Sequence, residues 1–166
     1  MHELKRLHKD ALPAAMTKAE RYRLLGEARE AESICRDILA VDPAHAEAKI
    51  LLILTLSDQF IHRLGETWTE ATTLTGTLTD AYARAYYDGI LHERRAKAHL
   101  KSGRAGARRG AYDDFRHAMT LFEEAAAKAP AGDDGALLRW NTCARILNSH
   151  PQFKAAPEEK KLDFLE

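Results

Sequence analysis

Apolar residues along this chain recur at spacings of three and four. Between Ala28 and Val41 the apolar set is Ala31, Ile34, Cys35, Ile38 and Val41, while Arg29, Glu30, Glu32, Arg36 and Asp37 fill the opposite face. That is one stripe of an amphipathic helix. Gly26 suits the turn before it. Asp42 and Pro43 follow, Asp42 as a cap and Pro43 at a first helical position, where a missing N–H costs nothing. The next predicted helix runs from about Ala44 to His62. Its middle (Ile50, Leu51, Leu52, Ile53, Leu54, Leu56) is apolar nearly all round, so it is expected to be buried on several sides. Upstream, Leu12 to Leu25 carries Met16, Ala19, Tyr22 and Leu25 along one side, and Pro13 either starts that helix or kinks a longer one beginning near Glu3.

The segment from Thr67 to Asp80 conflicts with itself. Seven of its fourteen residues are Thr, which favours strands, and Thr73 to Thr79 even alternates. Yet Trp68, Ala71, Leu74 and Leu78 follow a helical stripe, and a lone strand cannot satisfy its backbone. A helix is therefore expected, weakened by Gly76. Asp80 then caps a long helix to about Ser102, which Gly103 ends, and the loop "GRAGARRG" spans Gly103 to Gly110. Ala111 to Lys128 places Phe115, Ala118, Phe122, Ala125 and Ala129 on one face. After the turn "APAGDDG", Asp134 can cap a helix containing Leu137, Leu138, Trp140, Cys143, Ala144 and Leu147. A polar tail follows Pro151, with one short helix expected from Pro157. The reading is all-α: antiparallel hairpins at about 3–41, 44–79 and 80–129, a terminal helix at 133–148, one domain over 1–150, and a tail over 151–166.

Composition narrows this picture. The 166 residues are 45% apolar and 30% charged, an ordinary globular balance. Lys plus Arg and Asp plus Glu are both 25, and a net charge of zero argues against a general grip on nucleic acid. The N-terminal "MHELKRLHKD" lacks the apolar core of a secretory signal. The longest apolar run, "ILLILTL", falls far short of the roughly 20 residues that span a bilayer. No membrane span is expected, and a cytoplasmic location is. Cys35 and Cys143 are not spaced as a metal pair and read as free, buried thiols.

Candidate chemistry is sparse. The sequence carries no Gly-rich phosphate loop with Lys-Ser/Thr, no HExxH and no GxSxG. His92 and His99 lie two turns apart on one helix face, too far for chelation by the pair, with no evident third ligand. No enzyme activity, cofactor or metal is expected. The most unusual charge feature is Arg94, Arg95, Lys97, Lys101, Arg104, Arg108 and Arg109, with no acid among them. It reads either as a patch for an acidic segment or phosphates, or as a solvated helix end that favours cations. Tyr82, Tyr86 and Tyr87, with Arg84 between them, are residue types that dominate binding hot spots, or else they pack against the Thr-rich helix.

The stretch "GEAREAESICRDILAVDP" resembles the second helix of a tetratricopeptide repeat. Gly26 falls in the turn, Ala31 is the small residue, Cys35 stands for the usual aromatic, Ile38 and Leu39 follow, and Asp42-Pro43 closes the unit. Tyr22 and Ala19 stand where the first helix of that family carries an aromatic and a small residue. "AMTLFEEAAAKAP" repeats the spacing with Ala118, Phe122, Ala125 and Pro130, and "LLRWNTCARIL" resembles the start of a first helix at Trp140 and Ala144. The resemblance implies a short right-handed α-solenoid whose first helices line a concave face. With helical phase, it makes Tyr22, Arg23, Lys49, Tyr82, Tyr86, Tyr87, His92, Arg94, Arg95 and His99 the candidate contacts for a protein or peptide partner, an acidic segment included. The groove cations with which some family members grip chaperone tails are replaced here by Met16, Glu20 and Leu51. Two alternatives remain: a structural subunit packing into a larger complex through the "ILLILTL" helix, and, more remotely, a metal-binding or enzymatic protein; a short array can also associate with copies of itself through an uncapped end.

Overall fold

The computed structural model describes residues 2–150; the expected tail helix lies outside the described residues. Within that span a 3-10 turn, Lys9–Ala11, leads into seven α-helices: α1 Leu12–Leu24, α2 Ala28–Val41, α3 Ala46–Asp58, α4 Phe60–Gly76, α5 Ala81–Ser102, α6 Ala107–Ala126 and α7 Gly135–Ser149. No strand occurs among the described residues. None of these helices is long and apolar enough to cross a membrane.

Local chemistry explains the boundaries. Pro13 lies in the first turn of α1, so it starts this helix rather than kinking a longer one. The α1–α2 turn needs Gly26, whose φ is 81°. Asp80 caps α5 by accepting from the backbone N–H groups of Tyr82 and Ala83 at 3.2 Å each. Gly103, at φ 61°, ends it. Other boundaries differ from expectation. His45, not Asp42, caps α3: its Nδ1 accepts from Ala48 N at 3.2 Å, and Asp42 instead closes the turn at Ala44 N. At α7, Asp133 rather than Asp134 accepts from the Gly135 N–H, at 2.8 Å. The helix α6 begins a turn before Ala111, because Ala107 and Ala111 both pack inward, which shortens the glycine loop to residues 103–106.

The break after α3 comes earlier than His62. The Gln59 backbone N–H turns to Leu56 O, and its side-chain Nε2 takes the carbonyl of Thr55 at 3.1 Å. A side chain thereby satisfies a carbonyl that the helix end would orphan. The chain bends again at Arg63, where φ is −130°, and the Thr67 hydroxyl donates to the freed Arg63 carbonyl at 3.0 Å. The Thr-rich segment is helical as expected. Its hydroxyls donate back one turn, Thr72 to Trp68 O at 3.0 Å and Thr75 to Ala71 O at 2.8 Å, so the buried threonines carry no unsatisfied group.

Two apolar cores share one wall. Leu12, Met16, Cys35, Ile38, Leu52, Ile53 and Phe60 build the first from α1 to α4, and α5 adds Leu91 and Ala98. Ile90, Ala96, Phe115, Ala118, Phe122 and Cys143 build the second from α5 to α7. The helix α5 therefore faces both ways, with Tyr87 packed against each core. Leu51, Leu52, Ile53 and Leu56 are buried, so the "ILLILTL" helix is spent on the interior. Consecutive helices pack on one another, most extensively α5 on α6, and α3 also touches α1 and α5.

The α5–α6 contact depends on Gly89. A Cβ there would stand 2.7 Å and 2.9 Å from ring carbons of Phe122, which is itself fully buried. Gly→Ala in a helix normally gains about 1 kcal/mol. Here overpacking is expected to win, so Gly89→Ala loses about 2 kcal/mol in urea unfolding. Gly89→Ala with Phe122→Leu should recover most of that loss, because the smaller side chain vacates the colliding volume.

Candidate functional site

The ten candidate contacts are all half-buried, and α5 sorts them onto two faces. On the first face, Asp58 at the end of α3 collects two cations. Arg23 Nε lies 2.7 Å from Asp58 Oδ2, and Arg94 Nη1 lies 2.7 Å from Oδ1. Arg94 also donates to the Leu54 carbonyl at 3.0 Å and to the Ser57 hydroxyl. Burial holds the Arg94 pKa below its ordinary value, with the charge of Asp58 offsetting part of that and Arg23 and Arg139 adding to it. The preceding residue, Glu93, is fully buried and takes Lys97 and Arg139 as partners, both carboxylate oxygens lying 3.3 Å from Arg139 Nη1.

The tyrosines continue this face. Tyr82 stacks on Tyr86 with centroids 5.5 Å apart, and Tyr86 meets Tyr87 edge-on at 5.2 Å and Phe122 at 6.0 Å. The Tyr82 hydroxyl donates to Asp133 Oδ2 at 2.9 Å. Burial, and then the Asp133 carboxylate, raise the Tyr82 pKa. Tyr82 and Tyr86 thus pack toward α6 and α7, while Tyr87 also faces the first core, to which the Thr-rich helix contributes.

The second face centres on Asp114 of α6. Arg95 grips it with Nε, 2.8 Å from Oδ2, and with Nη2 on Oδ1. His92 Nδ1 lies 3.0 Å from Oδ1, and His99 Nε2 lies 3.6 Å from Oδ2. The Arg95 guanidinium lies 3.6 Å above the Trp68 ring, in a cation–π contact. His92 packs edge-on against Trp68 at 5.2 Å and against His117 at 4.2 Å. Burial pushes the Asp114 carboxyl up, but hydrogen bonds from His92 and Arg95 and their charges more than reverse it, so its pKa lies below the ordinary carboxylate range. This arrangement holds an ionised carboxylate and fixes two helices together. No group of three or more His, Cys, Asp or Glu residues among the described residues could hold a metal ion.

Arg23 and Arg94 are therefore joined through Asp58, while His92, Arg95 and His99 lie apart from them around Asp114. Tyr22, Lys49 and Tyr87 make no side-chain hydrogen bond or ion pair among the described residues; Tyr87 is packed between the two cores, Tyr22 has only Lys18 Nζ at 6.0 Å from its ring, and Lys49 has no partner there. Sequence reasoning flagged the cations and missed Asp58, Glu93, Asp114 and Trp68, which receive them. Glu93 had a signal: it follows Tyr86 and Gly89 along one helical face, at a position where the spacing expects an apolar residue.

The basic run divides along the same line. Arg94, Arg95 and Lys97 have carboxylate partners, whereas Lys101, Arg104, Arg108 and Arg109 are exposed and have none among the described residues. Beside this turn opens a cleft of about 500 Å³. Compared with known proteins, the chain matches no family model, no curated protein and no solved structure.

Proposed function

We propose that this chain is a non-catalytic protein-interaction module of the cytoplasm. It is built as a short right-handed stack of tetratricopeptide-like helix pairs and offers a surface to a protein or peptide partner. The observation that carries this reading is the contact between alternate helices, α1 with α3 and α3 with α5. Such contacts are what stacking of repeats requires, since it sets the first helices of successive pairs side by side. Small buried residues at the helix crossings, Ala19, Ala31 and Ala118, allow the close approach that stacking needs. On α1 and α3, the half-buried Tyr22 and Lys49 carry polar groups with no hydrogen bond or ion pair among the described residues.

An enzymatic reading has less behind it. The histidine–carboxylate pair at Asp114 is already engaged by Arg95. Both thiols are buried, which pushes their pKa values up to about 12 and keeps them protonated. The test is affinity capture from native lysate with the folded chain and with Tyr22→Ala/Lys49→Glu. The module reading expects proteins retained in stoichiometric amount by the parent chain; recovery of none beyond a bare-resin control contradicts it.

A second reading, assembly through an apolar helix face, is favoured by α7 rather than by α3. Leu137 and Leu138 on α7 are 49% and 64% exposed. They lie on the last described helix, where a further copy would add to the stack. Sedimentation should then give a dimer that Leu137→Ser/Leu138→Ser returns to monomer.

A further inference from the structure

The cations of this chain differ in how they are used. Arg36, Arg63, Arg94, Arg95 and Arg139 each meet a carboxylate of another helix. Lys101, Arg104, Arg108 and Arg109 meet none among the described residues, and no acid occurs between Glu93 and Asp113 to neutralise them. These four crowd one turn, between α5 and α6. Lys101 lies in the last turn of α5, where a cation is favoured, but Arg104, Arg108 and Arg109 have no such partner, and like charges gathered without counter-charge repel one another.

The cleft of about 500 Å³ beside that turn has two kinds of wall. Ile61, Leu64 and Ala98 are apolar, while His62, His99 and Arg104 bring polar or basic groups. Ile61 is 48% exposed, a large aliphatic side chain left in water next to unpaired cations. A second cleft of about 270 Å³ shares His99 and Arg104 and adds Arg108. The ligand that fits both walls is anionic and carries an apolar side chain. A nucleic acid fits less well. The cleft has no Trp or Tyr, and its Phe60 is 2% exposed and offers no face for a base, which leaves only the small imidazoles of His62 and His99 to stack on.

We infer that the cleft at the α5–α6 turn docks an acidic segment of a partner protein, its carboxylates on Arg104 and, in the adjoining cleft, Arg108, and an apolar side chain against Ile61 and Leu64. This rests on the interaction-module reading and moves the docking place from the aligned first helices to the far end of α5. The Arg–carboxylate pairs form at the rim and supply attraction and orientation, and burial of Ile61 holds the segment in place.

Fluorescence anisotropy on the full chain tests it. The probe is a labelled synthetic peptide in which aspartates and glutamates flank a leucine–phenylalanine pair. Binding is expected, weakening as salt rises. Replacing the apolar pair by serines, or using Ile61→Ser, should weaken binding several-fold. Arg104→Glu/Arg108→Glu should weaken it at least about tenfold with an unchanged circular dichroism melt, and Arg104→Gln/Arg108→Gln serves if the charge reversal unfolds the chain. Equal affinity for the serine peptide, tighter binding of a single-stranded RNA of the same length, or undiminished binding by both arginine variants each overturns the inference. Undiminished binding there, with loss in Tyr22→Ala/Lys49→Glu, overturns the location alone and leaves the module reading standing. That reading fails separately, when the lysate capture returns no partner.

Discussion

Phe122→Ala is expected to destabilise the chain by about 4 kcal/mol, the upper part of the usual range for a buried aromatic. The ring is fully buried in the second core, against Tyr86 at 6.0 Å and directly over Gly89. Gly89 has no side chain that could move into the vacated space, so the cavity stays open and its lining loses dispersion contacts as well as the transfer term. Because α5 serves both cores, the loss should reach the whole cooperative unit and appear as one earlier urea transition. Leu24→Ala, at an 85% exposed position, should stay within about 0.5 kcal/mol of the parent. Adding Gly89→Ala to Phe122→Ala should cost less than the sum of the two, since the new methyl fills part of the hole. Strict additivity would show that the two residues do not share that volume.

Asp114→Ala is expected to cost about 3 kcal/mol, because it leaves the Arg95 guanidinium without its carboxylate in a half-buried site. Asp114 is 5% exposed, and it joins α6 to Arg95, His92 and His99 of α5. The same group sets an acid limit. Its folded pKa is depressed below the ordinary 3.8, so its contribution is present above that value and is lost as pH falls through the folded pKa. Glu32 behaves alike: burial raises its pKa, but hydrogen bonds from Gln59 and Arg36, with the charges of Arg36 and Arg63, lower it overall. Thermal melts of the parent should therefore fall steeply below about pH 4. Asp114→Asn should start lower at neutral pH and fall less on acidification, the remainder belonging to the Glu32 network. Parallel acid limbs in the two proteins would contradict the role given to Asp114.

How much of this was legible in the sequence depended on range. The stripes of α2 and α6 were readable because one face of each is apolar and the other charged. The Thr-rich helix could be argued against its β-propensity, although the back-donated hydroxyl bonds that make it tolerable belong to the folded backbone. The α3–α4 break was not readable at its true place. "LTLSDQFIHRL" holds neither Gly nor Pro, and the break is made by Gln59, whose side chain takes the Thr55 carbonyl and reaches Glu32 of α2 at 2.7 Å. The start of α6 was placed four residues late, after Gly110, because the inward packing of Ala107 leaves no mark in so glycine-rich a stretch. At the candidate site, types and helical phase picked out Arg23, Arg94 and Arg95 but could not choose among 25 acids. Arg23 and Asp58 are 35 residues apart, and Arg95 and Asp114 are 19. Pairing at that range is decided by how helices stack, so cations that read as free for a partner proved to hold the fold together. The four that no carboxylate takes were indistinguishable in sequence from the three that one does.

The central claim is that these helices exist to present a surface to another protein. Hydrogen exchange on the full chain, alone and with the protein that copurifies with it under native conditions, tests this most directly. The account predicts slowed exchange over one contiguous surface, residues 98–110 with 60–65 or the exposed sides of α1 and α3, while the buried amides of α5 keep their rates. Identical exchange throughout with and without the copurifying protein would contradict it.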